Sequence, residues 1–243
     1  MSLPPPNDLP PHDSPPPCPT CGRNEPYCVC EFTSPIKAKT KILILQHPQE
    51  PGVDIGTVPI IKACFPDAVV RTGLSWANLK KVLGRESENH RWGVLYLGSV
   101  HVETLTETRT LFVVDKKGAP RHDQDEVLSK LEGFVVLDGT WSQAKTLWWR
   151  NAWLLKLPRL VLKPTRKSLY DRIRKEPRKG CLSTVETVAE VLSALENRGD
   201  IQESLERPLS ELVSRLAARK GPRGAVASSR FRGSRHHRGY RRR

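Results

Sequence analysis

Six short runs constrain this chain more than any other feature: KILILQ (41–46), AVVR (68–71), WGVLYLG (92–98), LFVVD (111–115), GFVVLD (133–138) and RLVLK (159–163). Within each run the apolar residues are continuous rather than alternating. A strand with one wet face alternates apolar and polar side chains; a strand covered on both faces does not. The intervening and following segments carry helical patterning, at 57–65, 76–83, 123–131, 141–151, 184–197 and 201–218. Strands and helices in alternation predict an α/β domain: a mostly parallel sheet with helices on both faces.

The ends of the chain read differently from its middle. Residues 1–17 contain eight prolines and almost nothing apolar, so they are expected to be disordered. They lack the apolar core of a secretory signal, and no run approaches the ~18 apolar residues of a membrane helix. A cytoplasmic protein with no membrane partner is expected. The net charge is +14, of which residues 219–243 carry +10 without one acidic residue. This Gly/Ser/Arg-rich tail is also expected to be disordered, and its charge favours a polyanionic partner.

Between these ends lies CPTCGRNEPYCVC. Its thiols, Cys18, Cys21, Cys28 and Cys30, fall within thirteen residues, with Gly22, Asn24 and Pro26 allowing the chain to double back. Four thiolates close a tetrahedral shell around Zn²⁺. The spacing therefore predicts a structural zinc loop over 18–32; two disulfides, disfavoured in a reducing compartment, and four unrelated cysteines are the competing readings. Cys64 reads as a small core residue.

Polar clusters stand where strands end or helices begin: QHPQE (46–50), DGTW (138–141) and RKGCLSTVET (178–187). Each has an ordinary reading. Ser183 and Glu186 make a capping box, and Thr140 with Gln143 a weaker one. Gly139 eases a turn. Trp141 belongs to the core, because Trp148, Trp149 and Trp153 follow at helical spacing. Asp138 is less easily dismissed. A carboxylate closing the most apolar strand is a cap, a base or a ligand for an amine, and in open α/β sheets ligands bind at that end. The P-loop, dinucleotide and nucleophile-elbow motifs are absent from the sequence, and no His/Asp/Glu set has the spacing of a catalytic metal site.

Together CPTCGRNEPYCVC, QHPQE, LDGTW and EPRKGCLSTVETV resemble the DTW-domain family of aminocarboxypropyltransferases, in the family's order and over about 18–197. The resemblance implies a SPOUT-like α/β catalytic domain over 36–218 with a C-terminal trefoil knot. It implies transfer of the 3-amino-3-carboxypropyl group of S-adenosylmethionine (SAM) to N3 of a tRNA uridine, with release of 5′-methylthioadenosine. On this reading Leu137, Asp138, Gly139, Thr140, Trp141, Leu182, Ser183, Thr184 and Glu186 form the SAM site. Asp138 is the base, with the SAM ammonium as its alternative partner. His47, Glu50, Lys163, Arg166 and Arg178 meet the substrate. tRNA is the expected partner, DNA is not, and a monomer is favoured. A SPOUT-like RNA methyltransferase and a non-catalytic zinc-containing RNA-binding protein are the alternatives.

Overall fold

The computed structural model describes residues 16–106, 108–164, 166–169 and 182–219 of the chain. The expected disorder of residues 1–15 and 220–243, and the positions of Arg178 and Cys181, lie outside them. Six strands form one sheet: β1 (Lys41–Gln46), β2 (Val69–Thr72), β3 (Trp92–Leu95), β4 (Leu111–Val114), β5 (Gly133–Asp138) and β6 (Arg159–Leu162). The helices are α1 (Val58–Cys64), α2 (Leu79–Leu83), α3 (Gln124–Ser129), α4 (Trp141–Arg150), α5 (Thr184–Glu196) and α6 (Gly199–Arg219). The strand order is β2-β1-β5-β3-β6-β4. All neighbours are parallel except β4, which runs antiparallel to β6 at one edge.

The continuous apolar runs have the cause anticipated for them. Ile42, Ile44, Phe134 and Val136 turn to one face, where they meet α1, α5 and α6. Leu43, Leu45 and Val135 turn to the other, with Leu79 and Val82 of α2 and with Trp148, Trp153 and Leu154. Because strand side chains alternate between faces, only a doubly covered strand needs an apolar residue at every position. β2 departs from the expected burial: it is an edge strand, and Arg71 and Thr72 are exposed. α2 is also shorter than the patterning over 76–83. Asn78 caps it by accepting from Lys81 N at 2.9 Å, while Trp76 N donates to Asn151 Oδ1 at 2.8 Å. Cys64 is fully buried in the core, as its isolation suggested.

The tryptophans of α4 and the turn after it do not act as one group. Trp148 is buried and stacks on Tyr96, ring centroids 4.0 Å apart. Trp153 is buried and donates to Asn151 Oδ1 at 3.2 Å. Trp149 is 70% exposed and Trp141 38% exposed, so the expectation that Trp141 is a core residue is corrected. Helical spacing places residues 148 and 149 about 100° apart, enough to put one in the core and its neighbour in solvent.

Candidate active site

β1 and β5 are parallel and in register, pairing Gln46 with Asp138 at their carboxyl ends. This brings QHPQE and DGTW together. Gln46 Nε2 donates to Asp138 Oδ2 at 3.0 Å, and Thr72 Oγ1 on the far side donates to Gln46 Oε1 at 3.2 Å. The third cluster closes on the same carboxylate: Thr184 Oγ1 donates to Asp138 Oδ1 at 2.6 Å. Asp138 is 7% exposed, and burial raises its pKa against the lowering effect of these two bonds. It is not a helix cap. Thr140 caps α4, accepting from Gln143 N while Gln143 Oε1 accepts from Thr140 N.

Gly139 makes this turn possible. Its φ is +155°, and a Cβ there would lie 2.8 Å from Gln143 Cβ and 3.4 Å from His47 Cβ. A side chain at 139 would collide with Gln143 of α4 and would sit in a backbone conformation that favours glycine.

The clusters line a cavity of about 280 Å³. Its polar end holds Asp138, Thr140, Ser183 and Thr184, at the amino termini of α4 and α5. Its walls are apolar, from Ile55, Leu95, Leu97, Leu160, Leu162 and Leu182, with Trp141 and Glu50 also contributing. The size is close to the lower end of small-molecule sites, roughly 300–1,000 Å³, and an apolar slot with a few convergent polar groups is their usual form. Helix amino termini carry partial positive charge and exposed N–H donors, which suit a carboxylate or phosphate.

The expected site residues divide by position. Leu137, Asp138, Gly139, Thr140, Trp141, Leu182, Ser183, Thr184 and Glu50 line the cavity. Glu186 does not. It is a fastener: Oε2 accepts from Ser168 Oγ, Ser183 N and Ser183 Oγ, and Oε1 accepts from Leu169 N at 2.7 Å. It thereby ties the start of α5 to the 168–169 segment. His47 also lies outside the lining; its N–H donates to Asp138 O and its Nδ1 accepts from Gln49 N. Lys163 Nζ donates to Leu105 O, and Arg166 pairs with Glu206. Those two cations are engaged within the body and do not line the cavity. Arg178 lies outside the described residues. Sequence reasoning found Leu137 and Leu182 but missed the rest of the apolar walls, and it also missed Thr57, whose Oγ1 accepts from Val185 N at 3.2 Å across 128 residues. No local signal marks these positions.

A second centre lies in the cysteine loop. The ligand atoms of Cys18, Cys21, Cys28 and Cys30 fall within 4.8 Å of one another, an arrangement that can hold a metal ion. Cys18 and Cys30 Sγ are 3.8 Å apart, and Cys21 and Cys28 Sγ 3.7 Å apart. All four are free thiols, so no disulfide forms among them. A tetrahedral ion with Zn–S of about 2.3 Å sets its ligands about 3.8 Å apart. Backbone N–H groups of Cys21 and Thr20 lower the Cys18 thiol to about 6, while burial raises Cys28 and Cys30. The loop reaches the active site directly: Arg23 Nη2 donates to Gly56 O, in the wall segment that also contains Ile55 and Thr57. Arg215 of α6 holds its other side, donating to Pro26 O, Cys28 O and Glu31 while lying over Phe32.

The DTW domain matches residues 15–217. Over 204 residues the chain is 33% identical to tRNA-uridine aminocarboxypropyltransferase 2 of Mus musculus, covering 82% of this chain and 63% of that protein. The enzyme of the same name from Drosophila melanogaster is 28% identical over 198 residues, 80% of this chain and 72% of that one. tRNA-uridine aminocarboxypropyltransferase A of Arabidopsis thaliana is 24% identical, with 88% and 87% covered. The chain thus spans less than two thirds of the mouse relative's length. No solved structure matches it.

Proposed function

The chain belongs to the DTW-domain family, and from that premise we propose that it transfers the 3-amino-3-carboxypropyl group of SAM to N3 of a uridine in tRNA. The observation that carries the reading is the buried Asp138 carboxylate, held by Gln46 and Thr184 at the floor of a cavity where two helix amino termini meet. Curated relatives named for this activity support it. The apolar walls suit the adenosine part of the co-substrate. Thr140, Thr184 and the N–H groups at the start of α4 and α5 suit its amino-acid part.

SAM, when bound, supplies an electrophilic carbon beside its sulfonium. The protein's part is orientation and proton removal. The uridine imide is a weak acid, so N3 must lose its proton to attack. Asp138 accepts that proton as the N3–C bond forms; the C–S bond breaks with its electrons passing to sulfur, leaving 5′-methylthioadenosine. A carboxylate whose pKa is raised by burial is a stronger base than one in water. The two donors fix its direction and leave lone pairs on each oxygen for the incoming proton.

The cysteine loop is assigned one structural Zn²⁺, bound by Cys18, Cys21, Cys28 and Cys30. Four protein thiolates leave no open coordination position and hence no direct chemistry. The catalytic domain is assigned to 36–218 as a SPOUT-like fold with a C-terminal trefoil knot. The insertion of the late strand β5 between β1 and β3 supports this assignment. The knot's threading depends on 170–181, outside the described residues. Among the described residues no helix is long and apolar enough to cross a membrane. We place the protein in the cytoplasm, acting as a monomer on tRNA.

Nucleoside mass spectrometry of tRNA incubated with the protein and SAM tests the reading. 3-(3-amino-3-carboxypropyl)uridine and methylthioadenosine are expected. Recovery of S-adenosylhomocysteine with a methylated nucleoside would instead establish the methyltransferase alternative.

A further inference from the structure

α4 starts at the cavity with Trp141, and its outward face continues through Lys145 to Trp149. These three are spaced four residues apart, so they lie on one side of the helix, about 12 Å from first to last at 1.5 Å per residue. Trp149 is 70% exposed and Lys145 is exposed. Leu147, on the far side of the helix, and Trp148, about 100° round from Trp149, are turned to the core. An indole so far out in water contributes little to folding, and its place beside a cavity mouth suggests a partner.

The charge around it indicates which partner. From Gly139 to Tyr170 the chain has seven Lys or Arg and no Asp or Glu. Arg159, Lys163 and Arg166 are engaged by Asp115 O, Leu105 O and Glu206. Lys145, Arg150, Lys156 and Lys167 remain exposed, and no ion pair among the described residues involves them. Aromatic faces interleaved with unpaired cations match single-stranded RNA, whose bases stack on rings while its phosphates take the cations.

We propose that the outward face of α4 is a track for the unpaired RNA strand flanking the target uridine. Trp149 stacks a neighbouring base and Lys145 neutralises its phosphate, with Arg150 adding charge where the helix ends. At about 3.4 Å per stacked nucleotide, the 12 Å from Trp141 to Trp149 spans three or four nucleotides. This deepens the proposed tRNA activity and rests on it for the identity of the RNA.

The test compares Trp149→Ala, Trp149→Phe and Lys145→Ala with wild type. It measures affinity for unmodified tRNA and a single-stranded RNA at several salt concentrations, SAM affinity by calorimetry, and thermal melting. Trp149→Ala should weaken RNA binding about 5- to 150-fold, the range of one lost base stack, with SAM affinity and melting unchanged. Trp149→Phe should restore most of the loss, which a lost structural contact on a bare surface would not explain. Lys145→Ala should reduce the slope of log affinity against log salt by about 1. RNA affinities within twofold of wild type for both alanine variants overturn the track. So does a change of sedimentation in Trp149→Ala with RNA affinity intact, which would make this face a contact between copies. If wild type forms no modified nucleoside yet Trp149→Ala still loses RNA binding, the enzymatic reading falls and the track stands.

Discussion

Replacing Asp138 with Asn is the sharpest test of the active site, because each oxygen of the side chain has one defined donor. Asp138 accepts from Gln46 Nε2 at 3.0 Å and from Thr184 Oγ1 at 2.6 Å. In Asp138→Asn the amide oxygen still accepts from Gln46. The amide nitrogen donates to Thr184, whose hydroxyl rotates to accept, so no group is orphaned. Each bond falls from the charge-assisted range of roughly 1.5–3 kcal/mol to the neutral range of roughly 0.5–1.5 kcal/mol. Against this loss, the burial that raises the carboxyl's pKa no longer acts on a charge. The two effects oppose each other, and stability at neutral pH should change by only about 1 kcal/mol. The reaction rate should respond quite differently. A positioned base contributes roughly 10²–10⁴-fold, so the single-turnover rate should fall by that factor. Calorimetric SAM affinity should stay within about threefold. If Asp138 instead holds the SAM ammonium, affinity should drop roughly 10- to 150-fold, the equivalent of about 1.5–3 kcal/mol. In wild type the rate should rise as pH passes through the raised pKa of Asp138, and that limb should vanish in the variant. A variant with rate and affinity both near wild type would refute the reasoning.

Cys→Ser at 18, 21, 28 or 30 should lower zinc content as measured by elemental analysis, while far-UV dichroism of the sheet persists; wild type purified without chelators and free of zinc would end the assignment. Arg23→Ala should weaken SAM binding without loss of zinc, since Arg23 joins the cysteine loop to the cavity wall at Gly56; unchanged calorimetric affinity would show that the wall stands without it. Glu190 is 7% exposed, and its pKa is raised from 4.5 to about 7, chiefly by burial and also by Glu186 and Glu206, against the lowering effect of Arg166. The folded state therefore binds the extra proton, and Glu190's relative contribution is present below about 4.5 and lost as pH rises through about 7. Glu190→Gln should melt increasingly above wild type between pH 5 and pH 8, by on the order of 2–3 kcal/mol at most; a pH-independent difference would contradict the shift. Deleting 220–243 should weaken tRNA binding and flatten its salt dependence with SAM affinity unchanged; an unaltered salt slope would assign the tail no RNA contact.

Features governed by neighbours in the chain are legible in the sequence itself. Continuous apolar runs mark strands covered on both faces, and five of the six are so covered; β2, at one edge, is not, although β4 at the other edge is buried throughout. Both capping boxes can be read from residues three apart and are present. The four cysteines lie close enough in sequence for their meeting to be a matter of local turns. Asp138 stands out because a buried strand rarely ends in a carboxylate.

Tertiary structure decided what Asp138 touches. Gln46 is 92 residues away from it and Thr184 46 residues away, and only the register of β1 on β5 and the docking of α5 bring them to it. The same packing gave other residues partners that the sequence does not indicate. Glu186, one turn into α5, faces the 168–169 segment rather than the cavity; Lys163 and Arg166 are engaged by Leu105 and Glu206; and Trp149 is turned to solvent while Trp148 is buried. Residue type and spacing determine which groups can cap, stack or bind metal, because those choices depend on bonds within a few residues. Which groups share a cavity depends on strand order and helix rotation. Those are settled by burial of the whole apolar surface at once, and no short stretch of sequence encodes them.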